Sequence, residues 1–315
     1  MKVGRGTVRA YLEGLRGISI VSGATEHTYR EPLVRFLVAA SKDLGFGEVG
    51  VHGELRLASV GQPDLQVVNA AGSPIGYGET KVPGSASDFA KVLESEQIGR
   101  YRASIENLLV TDFIHFALFR ADVGRLDVTL IETPGGLTAG SHAVSEPVLT
   151  QFSQVLSAFF SASAPSATSS EQLADGLARR ATLLRDAIRT LIVSSQAEGE
   201  PLRRLWDFYR RSLMSDMDAD DFADTYAQTL IYALFLARLE KGPLTDLDAA
   251  WHAIPDDVPI MRSAIEPLRA AGRMPDPMSV WLTDSLHLLA ATPNSIIETI
   301  GHPSAGTPDP ILYFY

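Results

Sequence analysis

The stretch PDLQVVNAAGSPIGYGETKV, residues 63–82, reads as two strands and the turn between them: DLQVVNA (64–70), the turn NAAGS that ends it, and IGYGETKV (75–82). Pro63-Asp64 opens the first strand and Glu79-Thr80-Lys81 lies in the second. Strand side chains alternate between faces, so Glu79 and Lys81 share a face with Ile75 and Tyr77, roughly 6–7 Å apart, while Gly76, Gly78 and Thr80 point the other way. Two acids and a lysine on adjacent strands are costly to bury unpaired. Their natural partner is a hard divalent cation, with Asp64 and Glu79 as oxygen ligands and Mg²⁺ keeping several waters and taking a phosphate oxygen. That inventory suits phosphodiester hydrolysis, which needs charge neutralised on the phosphoryl oxygens and a water made nucleophilic. Lys81, beside the cation, is expected to have a lowered pKa and to deprotonate or orient that water.

An Asp, fourteen intervening residues and Glu-x-Lys also arise by chance, and the triplet alone fits a surface hairpin with an ordinary salt bridge. Three neighbours favour the chemical reading: Pro63 directly before Asp64, the apolar flanks of both segments, and Gln97 and Tyr101, which stand at i,i+4 on one helix face downstream.

Working outward, a helix from about Tyr29 to Leu44 places Leu33, Phe36, Leu37, Ala40 and Leu44 on one face. A short strand near Glu48–Gly53 follows. Residues 85–108 read as helix broken near Ser95. Strand signals recur at Leu108–Thr111, Phe113–Arg120 and Leu126–Glu132, with ADVGR as the turn between the last two. Pro134-Gly135-Gly136 is read as a break, and a helix at about Ser145–Phe160 closes the domain. The mixture predicts an α/β domain with a small mixed sheet and flanking helices over residues 1–160. SASAPSATSS, 161–170, reads as a linker. Residues 171–315 read as an all-helical domain, with helices near 171–196, 201–214, 219–240, 245–253, 257–270, 278–291 and 293–300. FADTYAQTLIYALFLARL, apolar around most of its circumference, is its expected centre.

There are no cysteines among the 315 residues, which excludes disulfides, a thiol nucleophile and cysteine-ligated zinc or iron–sulfur sites. No signal-peptide core and no run of about 18 apolar residues is present, so a cytoplasmic location without membrane partners is expected. Net charge is −11: residues 1–160 carry 14 basic and 17 acidic groups (−3), and 161–315 carry 13 and 21 (−8). A free-standing DNA binder normally shows a basic face, so any grip on DNA is expected to come in part from elsewhere.

The PD…GETK pair followed by EQIGRY resembles the PD-(D/E)xK nucleases that carry a QxxxY helix. GATEHTYREPL upstream and NLLVTDFIHFALFR downstream are similar to the nuclease at the start of type IIG and type ISP restriction–modification enzymes. FADTYAQTLIYALFLARL resembles their helical connector, and the terminal DPILYFY the segment before their adenine methyltransferase. The resemblance implies a restriction-endonuclease-like fold and a Mg²⁺-dependent DNA endonuclease (with Mn²⁺ as an alternative ion). It implies double-stranded DNA as substrate and transient dimerisation on that DNA. It also implies Asp64, Glu79 and Lys81 as the catalytic motif, and Gln97 and Tyr101 beside the active site and DNA. Glu26, with Glu31 as its rival, is implied as the acid that the first helix adds to the metal shell. The sequence departs from the pattern in lacking Asn-Pro-Pro-Tyr and a glycine-rich cofactor loop, so a methyltransferase and target-recognition region are expected beyond Tyr315.

Other signals carry less. Asp216, Asp218, Asp220 and Asp221 mimic a calcium loop, but Asp221 stands at the sixth position and Ala227 at the twelfth, where glycine and glutamate are needed. His27 beside Glu26, Arg100 and Arg102 on the QxxxY helix, and the cluster Arg203, Arg204, Arg210 and Arg211 read first as solvated surface groups and only second as ligand contacts.

Overall fold

The computed structural model describes residues 1–20, 24–53, 63–140, 144–163, 166–194, 197–212, 214–270 and 275–301. DPILYFY and part of the 161–170 stretch lie outside the described residues. The chain divides into two compact units between residues 163 and 166.

The first unit begins with helices α1 (Arg5–Ser19) and α2 (Glu26–Asp43). A six-stranded mixed sheet follows: β1 (Gly50–Gly53), β2 (Leu65–Val68), β3 (Pro74–Thr80), β4 (Asn107–Thr111), β5 (His115–Arg120) and β6 (Gly124–Thr129), in sequential spatial order. Every neighbouring pair is antiparallel except β3–β4, which is parallel. A parallel pair needs a crossover, and α3 (Ala86–Leu93) and α4 (Glu96–Ser104) fill it. Ser85 caps α3 through a capping box with Asp88. Ser95, the predicted break, accepts from Ile98 N and caps α4. The unit closes with α5 (Pro134–Ala139) and α6 (Glu146–Phe160).

Two expectations are corrected here. The first helix is expected at about Tyr29, but α1 precedes it and buries Val8, Tyr11, Leu12 and Leu15 on one stripe. Pro134-Gly135-Gly136 starts a helix instead of breaking the chain: Thr133 accepts from Gly136 N, and Pro134 takes the first-turn position whose N–H has no intrahelical partner.

One face of the sheet packs on α1, α2 and α6. Tyr11 stacks on Phe36 at 4.5 Å, Phe36 on Phe152 at 5.3 Å, and Phe152 meets Phe116 at 4.8 Å, so one aromatic column joins the three helices to β5. Each such buried ring contributes roughly 1.5–3 kcal/mol relative to exposure. The opposite face meets α3 and α4, where Phe89 stacks on His115 and Arg102 lies over Phe119. β3 is buried along its whole length between these layers.

The second unit is helical: α7 (Ser170–Val193), a short 3-10 turn at Ala197–Gly199, α8 (Glu200–Ser212), α9 (Ala219–Lys241), α10 (Leu247–Ala253), α11 (Pro259–Ala270), α12 (Asp276–Ala291) and α13 (Asn294–Gly301). α9, the apolar segment, packs against α7, α10, α11, α12 and α13 and so forms the centre. Asp218 of the aspartate run caps it in a capping box with Asp221. Within the bundle Arg238 donates to Leu289 O, Thr292 O and Asn294 Oδ1, satisfying carbonyls at the end of α12. Arg180 and Asp284 form a second buried pair at 3.0 Å. Among the described residues no helix is long and apolar enough to cross a membrane.

Candidate active site

β3 ends at Thr80, beside Thr111 at the end of its parallel neighbour β4. Lys81 N donates to Thr111 O at 2.9 Å, so the lysine backbone stays tied to the sheet after β3 ends. In the β2–β3 register Leu65 faces Gly78. The position before Leu65, Asp64, therefore falls at the level of Glu79. Asp64 sits in a bend, and its carboxylate turns toward Thr80: Oδ2 accepts from Thr80 N and from Thr80 Oγ1, both at 2.7 Å.

Two linked clusters result. In the first, Arg30 of α2 donates through Nη2 to both Asp64 Oδ1 and Glu26 Oε1, the latter at 2.8 Å, and through Nε to Thr80 Oγ1 at 3.1 Å. Glu26 Oε1 also lies 2.9 Å from Thr80 Oγ1, whose single hydrogen serves either that oxygen or Asp64. In the second, Glu79 Oε1 accepts from Lys81 Nζ at 2.5 Å and from Gln97 Nε2 at 2.9 Å. Gln97 Nε2 in turn reaches Tyr101 OH at 3.4 Å. The opposite carboxylate oxygen, Glu79 Oε2, is buried and has no hydrogen-bond partner among the described residues.

Burial grades across the site. The side chain of Glu79 is 2% exposed and those of Arg30 and Asp64 are 9% and 11% exposed, whereas Glu26 and Lys81 are 23% and 28% exposed and mark the solvent side. Burial, and then the neighbouring Asp64 charge, push the Glu79 carboxyl up to about 7, against the opposing pull of Lys81. Burial also holds Asp64 above the usual carboxylate range, despite Arg30 and the Thr80 hydrogen bonds. Burial draws Lys81 down, but Glu79, Asp64 and Glu26 outweigh it and leave the ammonium above its ordinary value. The expected lowering of the Lys81 pKa applies to a lysine beside a bound cation; among the protein groups alone, the acids hold its ammonium in the charged form.

Asp64, Glu79, Lys81, Gln97, Tyr101 and Glu26 are thus brought into one coupled polar site. Glu31, the rival of Glu26, points elsewhere: it pairs with Arg35 at 2.5 Å on the exposed side of α2. His27 and Arg100 are exposed, and Arg102 is occupied by Phe119. Two participants escaped the sequence reading. Arg30 follows Glu26 by four positions, the helical spacing of an ion pair, and that was its available signal. Thr80 has the parity opposite to Glu79; no sequence signal shows that Asp64 bends toward it.

Among the described residues, no three acidic or histidine side chains converge into a ready-made cation cage. The donor set nonetheless fits a divalent ion. The Glu79 carboxylate, raised in pKa by burial and then by the adjacent Asp64, has one oxygen without a partner among the described residues and is a group short of positive charge; Mg²⁺ commonly binds through one or two carboxylates plus waters and phosphate.

No protein-family profile matches the chain, and no curated protein does. Among solved structures the chain is similar to a cryo-EM structure of a DrdV–DNA complex, with a TM-score of 0.34 and 15% identity over 89% of this chain. The chain spans 26% of the length of that structure's chain.

Proposed function

We propose that the first unit is a divalent-cation-dependent endonuclease that hydrolyses phosphodiester bonds of double-stranded DNA, as its resemblance to the PD-(D/E)xK nucleases implies. The observation that supports this most is the buried, unpartnered Glu79 Oε2 beside Asp64, Lys81 and Gln97. Asp64 and Glu79 are the proposed cation ligands, with Glu26 as a third acid on the solvent side. Bound Mg²⁺, or Mn²⁺, would neutralise phosphoryl charge and make a water nucleophilic. Lys81 keeps its proton and presents positive charge where charge develops on the phosphodiester. Gln97 fixes the rotamer of Glu79 through Oε1, leaving Oε2 for a ligand, and Tyr101 backs Gln97. The second unit is the proposed helical connector to a methyltransferase and target-recognition region, within a cytoplasmic restriction–modification enzyme of phage defence.

The engagement of Asp64 and Glu26 by Arg30 favours a second reading, a catalytically inactive docking module with a nuclease fold. Calorimetric titration of Mg²⁺ and Mn²⁺ into the wild type, Asp64→Ala and Glu79→Ala, paired with plasmid cleavage, separates the two. The nuclease reading expects cation binding in the wild type, with at most weak cleavage because target recognition is proposed to lie elsewhere, and loss of cation binding in both variants. Identical titrations for all three proteins would favour the docking module.

A further inference from the structure

We infer that Arg30 is a built-in counter-charge that holds the site's carboxylates in the cation-free state and must release them before a divalent ion can bind. The inference rests on the reading of Asp64, Glu79 and Glu26 as cation ligands.

The site neutralises itself. Arg30 Nη2 bridges Asp64 Oδ1 and Glu26 Oε1, and Lys81 Nζ sits on Glu79 Oε1. The two internal cations thereby engage all three acids, and Glu79 Oε2 is left buried and unpartnered. Lys81 is more than a quarter exposed and can swing to solvent; Arg30 is nine-tenths buried and cannot leave so easily. A unit positive charge held among these carboxylates opposes a divalent ion in a medium where charges are poorly screened. Arg30 Nη1 is itself buried without an acceptor among the described residues, an unfavourable state for a donor. A guanidinium in this state has one donor unmatched. An anionic phosphoryl oxygen would supply the missing acceptor, so release from Asp64 would turn Arg30 toward an oxyanion. Cation and polyanion would then favour each other's entry, and each alone would bind more weakly than the two together.

The alternative is that Arg30 is only a scaffold that positions Asp64. The two roles differ in sign. Removing a scaffold partner of a ligand commonly weakens metal affinity by about 10–100-fold. Removing a competing charge strengthens it. The experiment is calorimetric titration of Mn²⁺ alone into the full chain, as wild type, Arg30→Met, Arg30→Gln and Arg30→Lys. Arg35→Met serves as a control that removes a charge from the exposed side of the same helix. Arg30→Met is expected to bind Mn²⁺ about tenfold tighter than the wild type, with a lower cation-free Tm and a larger Tm gain on adding Mn²⁺. Arg30→Gln, which keeps a donor for Asp64 but no charge, is expected to shift the same way and keeps the test open should Arg30→Met not fold. Arg30→Lys is expected to return the affinity to near the wild-type value, and Arg35→Met to leave it there. Unchanged or weaker binding in both neutral variants, with the wild type binding normally, would overturn the counter-charge role alone. No binding by any of the proteins would overturn the cation site itself, and this inference with it.

Discussion

Glu79 concentrates the conflict on which the site is built. Its folded pKa of about 7 lies above the ordinary glutamate value of 4.5, so between those values the folded protein holds a proton that the unfolded chain has released. The stability this group contributes is therefore full below pH 4.5 and falls as pH rises toward 7. Above pH 7 the carboxylate is charged in both states, and the folded protein carries the whole cost of burying it. At about 1.4 kcal/mol per pH unit that cost is on the order of 3 kcal/mol in the absence of a cation. Glu79→Gln keeps the shape and removes the charge. In EDTA at pH 8 it is expected to be more stable than the wild type by on the order of 2 kcal/mol, once the lost Lys81 contact is set against the gain, and to lose most of that advantage at pH 5. Urea unfolding at the two pH values measures this, and a variant less stable at pH 8 would show that Glu79 is structurally satisfied and has no need of a cation. At this scale the sequence carried Asp64, Glu79, Lys81, Gln97 and Tyr101, because strand parity and the i,i+4 rule are local. Thr80 was beyond its reach, because its role depends on how one bend aims a carboxylate across two strands.

Among elements, β3 is held by what its glycines lack. A Cβ on Gly76 would stand 2.6 Å from both Asn107 Nδ2 and the Phe159 ring. Neither neighbour can yield freely, since Asn107 Nδ2 donates to Ile75 O at 2.7 Å and Phe159 O at 2.9 Å, tying β3 to α6. Gly76→Ala is therefore expected to lower stability by about 1–3 kcal/mol through overpacking. Gly99, between Gln97 and Tyr101 on α4, has nothing within 4 Å of its added Cβ, and Gly99→Ala is expected to be neutral or to add up to about 1 kcal/mol of helix stability. Paired thermal melts check both; equal effects would mean that β3 is not packed as described. The β2–β3 pair, the helix break at Ser95 and the buried face of α2 were legible because each has a period or a cap. α1 was not, though its apolar stripe is regular: Gly6, Gly14 and Gly17 weaken its intrinsic propensity, and packing against α2 overrides that deficit. The misreading of Pro134 has a similar cause, since proline ends a helix from inside but starts one at its first turn.

For the whole molecule the charge balance sets the terms on which a polyanion can be held. Residues 1–160 sum to −3 and 161–315 to −8. Among the described residues of the first unit, Arg30 is committed to Asp64 and Glu26, Lys81 to Glu79, and Arg102 lies over Phe119. Each phosphate neutralised by a basic side chain releases counterions and steepens the fall of affinity with salt by about 0.9 in the logarithmic slope. A chain with a net charge of −11 should therefore bind a short duplex weakly in EDTA, no tighter than the non-specific range of about 10⁻⁴–10⁻⁶ M, and with a shallow slope of about one to three phosphates between 50 and 200 mM salt. Mg²⁺ should tighten that binding, because positive charge placed among Glu26, Asp64 and Glu79 reverses the sign of the surface the phosphodiester meets. Fluorescence anisotropy with a labelled duplex, with and without Mg²⁺, measures both. Sub-micromolar binding in EDTA with a slope of six or more would mean that a basic face holds DNA independently of these carboxylates. Weak binding that Mg²⁺ rescues would place the affinity, like the chemistry, in the acids themselves.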